Sequence, residues 1–227
     1  MKAVSKMWLR ARRSAHDMLE DCSAIAATEF AVIVPLMLVM LFGTVEFSSG
    51  VAVDRKVTLI ARTLSDLTSQ AGPSNPNAPY AGVDDNALQN AFTASIAIIQ
   101  PYAQTPLNLQ LSEIYVDSNL VAKVQWSKAA IIGAGATQAT LTGSTRSPGD
   151  VVTSMIPTAL LIKQTYLILS EVKYLYTPLG IGYVMKSNIT LSDVAYSRPR
   201  QVFCVVYTTP SPPQPNILLT NGQCPAT

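Results

Sequence analysis

The sequence predicts an α+β protein in which a long N-terminal transmembrane helix continues into an exported domain with a second helix and an antiparallel sheet. Three observations predict this fold class. A long uncharged apolar run lies near the N-terminus, helical periodicity continues beyond it, and from Leu107 the apolar residues alternate with a period of two. We expect a basic cytoplasmic leader at 1–24, a transmembrane and amphipathic helix at 25–70, and an exported α+β domain at 71–227.

The first helix is predicted from its apolar run, which carries no charge from Phe30 to Val45. About 22 helical residues reach ~33 Å, enough to cross the ~30 Å hydrocarbon core of a bilayer. Five basic residues precede the run, and the next base after it is Arg55. By the positive-inside rule, the N-terminus stays in the cytoplasm and the chain after Phe47 is exported.

Helical periodicity continues past the membrane segment to about Ser69, carried by apolar residues at helical spacing: Val53, Val57, Ile60, Leu64 and Leu67. Three prolines and two glycines then predict a loop at 71–82. A second helix is predicted at about 85–100, with Asp84 or Asp85 as its cap and Pro101 at its end.

Strands are predicted where the period is two. Segments 109–117 and 120–128 form a hairpin joined at Ser118-Asn119, with Trp126 as a core or hairpin-face aromatic. A small-residue loop is expected at 133–150, since its glycines match no phosphate-binding pattern. Later strands are predicted at 165–178, 189–196 and 201–207, and short connections make the sheet mostly antiparallel.

The composition argues against several classes of function. The net charge is only +2, so no nucleic-acid partner is indicated. The chain after residue 24 has no histidine, which removes the usual triads and metal sites. We therefore predict no enzyme, no catalytic residue, no metal and no cofactor. The carboxylates of the exported domain are expected at the surface or as caps: Asp84, Asp85, Glu113, Asp117, Asp150, Glu171 and Asp193.

Two of the three cysteines, Cys204 and Cys224, lie in the part predicted to be exported, whereas Cys22 lies in the leader. An oxidising compartment allows a disulfide between them, which would stabilise by about 3 kcal/mol on a chain-entropy estimate. The alternative is two free thiols in a flexible tail.

Glu29 is the one carboxylate in the first turns of the apolar segment. Such an acid is costly in a bilayer unless it reaches the interface or finds a partner, and is by default a functional candidate. It could equally be a helix-start acid that favours the positive end of the helix dipole.

The string ATEFAVIVPLMLVMLFGTVEF resembles the TadE-like family, small membrane proteins of the tight-adherence (Flp-type) pilus system. The acid Glu29, the aromatic Phe30 and the interrupting Pro35 carry this resemblance, which places prepilin-peptidase cleavage between Ala24 and Ile25. The family usually has Gly before the cut, where this chain has Ala24. Further weak motifs follow in order: Ile114–Val116, Trp126-Ser127, Ile156-Pro157, 171–178 and Arg198-Pro199-Arg200.

The resemblance implies a minor pilin or pseudopilin-like component of pilus biogenesis and adhesion, in the bacterial inner membrane with its C-terminal domain in the periplasm. Its partners would be prepilin peptidase, other pilins and pilus assembly proteins. Glu29 would pair with the new amine of Ile25 on a neighbouring subunit, and Pro35 would kink or locally melt the helix. Two alternatives are a bitopic membrane-anchored binding domain without a fibre role, and a secreted domain cut near Ser48-Ser49-Gly50.

Overall fold

The computed structural model describes residues 23–73, 78, 80–103, 106–178 and 188–208. The chain divides into two compact units, Met1–Ser48 and Ser49–Thr227. Residues 1–22 of the predicted leader, most of the proline-rich linker and the tail with Cys224 lie outside the described residues. The predicted boundaries at 24 and 70 stay predictions.

Helix α1 covers Ser23–Ser69 without a break. Its N-terminal half forms the described part of the first unit, where the large apolar side chains are exposed around the helix. Helical geometry continues through Pro35, so the helix is not unwound at this proline in the structure.

The second unit begins with the amphipathic half of α1. Its buried side chains have the predicted spacing and include Val53, Val57, Ile60 and Leu64, whereas Leu67 is 44% exposed. A short strand β1, Tyr80–Val83, is followed by helix α2, Asp85–Ile99. The Asp84 carboxylate accepts the Ala87 N–H at 2.7 Å, so the predicted cap and helix are confirmed.

Five strands form an antiparallel sheet in the order β4-β3-β2-β5-β6. They are β2 (Leu107–Val116), β3 (Ala122–Ile132), β4 (Thr140–Thr142), β5 (Thr165–Tyr176) and β6 (Ile189–Ser197). Strand β2 is central, and its register on β3 shifts after Glu113, because Glu113 faces Trp126 whereas Ile114 faces Val124. The predicted α+β class with an antiparallel sheet is confirmed.

One face of the sheet packs against α1 and α2 in the largest core of the second unit. The cluster joins Phe92 of α2 to Leu109 of β2, Trp126 of β3 and Val172 of β5. The opposite face is partly covered by 152–161, where Val152 and two 3-10 turns (Thr153–Met155 and Thr158–Leu160) lie over β2 and β5.

Three short strands differ from the predictions. β7 spans only Cys204–Tyr207 and pairs in parallel with β1 as a separate two-stranded sheet. β1 lies at the end of a predicted loop, and β4 lies inside another. Both loop predictions were wrong at these residues. β1 forms through pairing with a segment distant in sequence, and the three-residue β4 is too short to show a period of two.

Candidate functional site

In the apolar half of α1, the side-chain hydroxyls form hydrogen bonds within the helix itself. Thr28 and Thr44 are its hydroxyl-bearing residues from Ile25 to Phe47, and each donates to a backbone carbonyl one turn earlier, Ile25 O and Leu41 O, both at 2.8 Å. In a bilayer every polar group must find such a partner within the protein. The hydroxyls are therefore compatible with a hydrocarbon environment.

The predicted assembly residues lie together at the start of this helix. Ala24 and Ile25 are both helical, and the Ile25 side chain is 59% exposed. Glu29 is exposed one turn later and forms no ion pair with any described residue. Phe30 is 69% exposed beside it. The segment thus presents an acid and an unpartnered apolar surface, and the roles assigned to these residues stay predictions.

Cys204 is 1% exposed at the start of β7, within a small cluster that includes Tyr166 and Val206. Its predicted disulfide partner, Cys224, lies outside the described residues. The pairing of the two cysteines stays a prediction.

The position of Glu113 differs from the one that the sequence predicted. We expected a surface or capping role, but its side chain is fully buried on the helix-covered face of β2. Its carboxylate accepts the Val205 N–H of β7 at 2.5 Å. Burial raises the pKa of Glu113 to about 8, although hydrogen bonds to Val205 and Trp126 oppose that rise. The buried Glu113 carboxyl is therefore mostly protonated, and so uncharged, at neutral pH.

Trp126 ties β7 to the sheet beside Glu113, and Tyr166 lies in the same buried region. Trp126 Nε1 donates to the Val205 carbonyl at 2.6 Å, so Val205 is held at both its backbone N–H and its backbone C=O. The Tyr166 hydroxyl is buried without a hydrogen-bond partner among the described residues. Burial, with the Glu113 charge as a smaller cause, raises the Tyr166 pKa above its ordinary value.

A signal for the burial of Glu113 was present in the sequence. Leu109, Leu111, Glu113 and Tyr115 occupy alternate positions of one strand, so the acid shares a face with apolar residues. The period-two pattern that predicted the strand therefore also placed Glu113 inward.

Two further sets of ion pairs and hydrogen bonds join elements of the second unit. On the opposite sheet face, the Arg146 guanidinium forms a bidentate ion pair with Glu171, and Gln110 Nε2 donates to the same carboxylate at 3.2 Å. At the end of β7, Tyr207 Oη donates to Asp85 Oδ1 at 2.5 Å, and Lys128 Nζ lies 3.4 Å from that oxygen. Glu171 and Asp85 are thus partnered rather than simply solvated.

Among the described ranges, no group of three or more histidine, cysteine or acidic side chains is placed to hold a metal ion. Several of the described carboxylates have structural partners instead. Asp117 Oδ1, for example, closes the β2–β3 turn by accepting the Asn119 and Val121 N–H groups at 2.8 and 2.9 Å.

By length and composition, one helix in the described part of the chain could cross a membrane. Its best window has a mean hydropathy of 2.3, and none of that window is buried inside the protein. The fold and this segment define an α+β protein with an N-terminal helix that indicates membrane anchoring.

The family model described as TadE-like protein matches residues 24–64. The resemblance predicted from the sequence is confirmed over that segment, which contains Glu29, Phe30 and Pro35. No curated protein and no solved structure matches the chain.

Proposed function

We propose that this protein is a minor pilin or pseudopilin-like component of the tight-adherence pilus system, anchored in the bacterial inner membrane with its second unit in the periplasm. The observation that carries the proposal is Glu29, an exposed acid in an apolar helical segment that is otherwise uncharged from Ile25 to Val45 and lies within the match to the TadE-like family. The uneven placement of basic residues before and after that segment supports the orientation.

Assembly gives Glu29 a physical role. A helix whose apolar side chains are exposed all round leaves the bilayer only when other apolar helices cover it. Glu29 would then lie among helices and require a cation. The amine of Ile25 becomes available on a neighbouring subunit once prepilin peptidase cuts after Ala24. Such a buried pair fixes the register between subunits more surely than it adds stability.

The test is Glu29→Gln, which keeps the side-chain volume and removes the charge. We expect the variant to insert in the membrane at the wild-type level and to lose surface pili. Asp54→Asn is the matched control, because Asp54 is an exposed acid of the same helix outside the uncharged segment. Normal piliation in the Glu29 variant would contradict the assembly role.

The intact mass of the membrane-extracted protein tests processing separately. A chain that starts at Ile25 supports prepilin-peptidase cleavage. A chain that starts at Met1 favours a permanent bitopic anchor without a fibre role, and one that starts near Val51 favours a secreted domain. Either of the last two results would remove the reason for an Ile25–Glu29 pair.

A further inference from the structure

A second candidate site lies in the second unit, far in sequence from Glu29. The C-terminal turns of α1 and the end of β6 enclose an open groove of about 320 Å³. Its wall on α1 includes Arg62, Thr63 and Asp66, and its wall on the other side includes Tyr196 and Arg200. No feature of the proposed pilus function uses this groove.

The groove is held open by contacts that fix both of its walls. Ser197 Oγ donates to the Ser65 carbonyl at 2.8 Å, and the Arg200 N–H donates to the Ser69 carbonyl at 2.9 Å. Carbonyls in the last turn of a helix have no partner within that helix, so the bond from Arg200 to the Ser69 carbonyl also caps α1. The Arg198-Pro199-Arg200 motif therefore has a structural position, at the turn that seats β6 against α1.

The groove has two arginines and one acid among its described lining residues. The Asp66 carboxylate is used on both oxygens, by Arg200 Nη2 at 2.6 Å and by Gln70 Nε2 at 2.6 Å. Arg62 is exposed and forms no ion pair with any described residue. Arg200 uses one nitrogen on Asp66 and is 61% exposed, so other donors of its guanidinium remain available. The groove therefore complements an anionic group.

One wall of the groove is also an open sheet edge. β6 is the last strand of the sheet in the described part of the chain, and it pairs only with β5. The Val194 N–H points to the free edge, because it donates to its neighbour's Asp193 Oδ1 at 2.7 Å. Backbone groups alternate between edges along a strand, and the β5–β6 register has no irregularity, so the Tyr196 N–H lies on the same free edge, within the groove.

We propose that this groove binds an extended acidic segment of a partner protein, which adds to the free edge of β6 and places a carboxylate between Arg62 and Arg200. In strand addition, main-chain hydrogen bonds supply affinity, and pockets beside the edge bind particular side chains and so supply specificity. The Asp193 carboxylate already accepts the Val194 N–H at the free edge of β6. The added segment would therefore pair with β6 from Tyr196 toward the groove. The bound carboxylate would meet the Arg62 guanidinium, which has no ion-pair partner among the described residues.

The test uses the full chain in detergent micelles, with its nine tyrosines labelled with nitrogen-15. The Tyr196 amide signal is assigned with Tyr196→Phe. The probe is an acetylated, amidated peptide of sequence Thr-Val-Glu-Val-Thr. We expect it to shift the Tyr196 amide saturably, and we expect about tenfold weaker binding when its glutamate is replaced by glutamine. N-methylation of the valine after the glutamate should also abolish the shift, because strand addition needs that N–H.

Arg62→Gln should weaken binding of the acidic peptide about tenfold and make binding less sensitive to the glutamate replacement than in the wild type. Arg55→Gln is the matched control, since Arg55 is an exposed arginine of the same helix that does not line the groove. An unchanged pattern of the other tyrosine signals shows that each variant is folded.

Four results would overturn the proposal: no saturable shift up to about 5 mM peptide, equal losses in the Arg55 and Arg62 variants, full binding of the N-methylated peptide, or an equal shift with inorganic phosphate. The last result would identify a general anion site. Because Glu29 is intact throughout, failure here leaves the proposed pilus function untouched, and failure of that function leaves this result standing.

Discussion

Replacing Glu113 by Gln should remove the pH dependence that this buried acid imposes on the stability of the second unit. Gln has nearly the same volume, and its Oε1 can still accept the Val205 N–H, but it cannot ionise. The folded-state pKa of Glu113 is about 8, against an ordinary value of 4.5. Folding therefore favours the protonated carboxyl, and ionisation at higher pH favours the unfolded chain.

The sign and size follow from linkage. The contribution of neutral Glu113 is fully present below pH 4.5, declines as the pH rises toward 8, and is lost above that. The interval corresponds to at most about 5 kcal/mol of the free energy of unfolding. The Gln variant should match the wild type near pH 5 and exceed its stability by several kcal/mol near pH 9.

The assay is urea denaturation of the full chain in micelles at pH 5 to 9, followed by Trp126 emission in a Trp8→Phe background. Asp54→Asn serves as the control, because an exposed acid should leave the pH profile unchanged. Parallel profiles for wild type and Glu113→Gln would refute the reasoning, as would a wild-type stability that rises relative to the variant between pH 5 and 8.

Three further changes test the packing of the second unit by urea denaturation of the full chain in micelles, followed by far-ultraviolet circular dichroism because one of the changes removes Trp126. Trp126→Phe should cost about 1–3 kcal/mol because the Val205 carbonyl loses its buried donor; a loss equal to that of an exposed aromatic would contradict this. Phe92→Ala, at a side chain with no exposure, should cost about 3–5 kcal/mol, and a near-neutral effect would exclude it from the core. Arg146→Gln should destabilise by about 1–3 kcal/mol, and adding Glu171→Gln should recover part of that loss; simple additivity would show that the two side chains are not coupled.

The elements that could be predicted are those whose signal is local. The apolar run of α1, the Asp84 cap of α2 and the alternation in β5 each depend on residues close in sequence, and each lies where expected. Helix and strand periodicities need no knowledge of the partner element.

The elements that could not be predicted depend on distant pairing. β1 has four residues and forms only against β7, more than 120 residues later. The burial of Glu113 was missed because an acid was assigned to the surface by type rather than by its position in the strand. The groove beside β6 was equally hidden, since nothing local brings Arg62 next to Arg200.

The position of β7 also has a consequence for how the protein is made. The Glu113–Val205 bond joins residues 92 apart, and the Trp126–Val205 bond joins residues 79 apart. During synthesis Glu113 and Trp126 emerge well before β7, the strand that satisfies them. The core of the second unit therefore stays incomplete until about residue 207 has been made, and its exposed apolar surface needs protection during that delay.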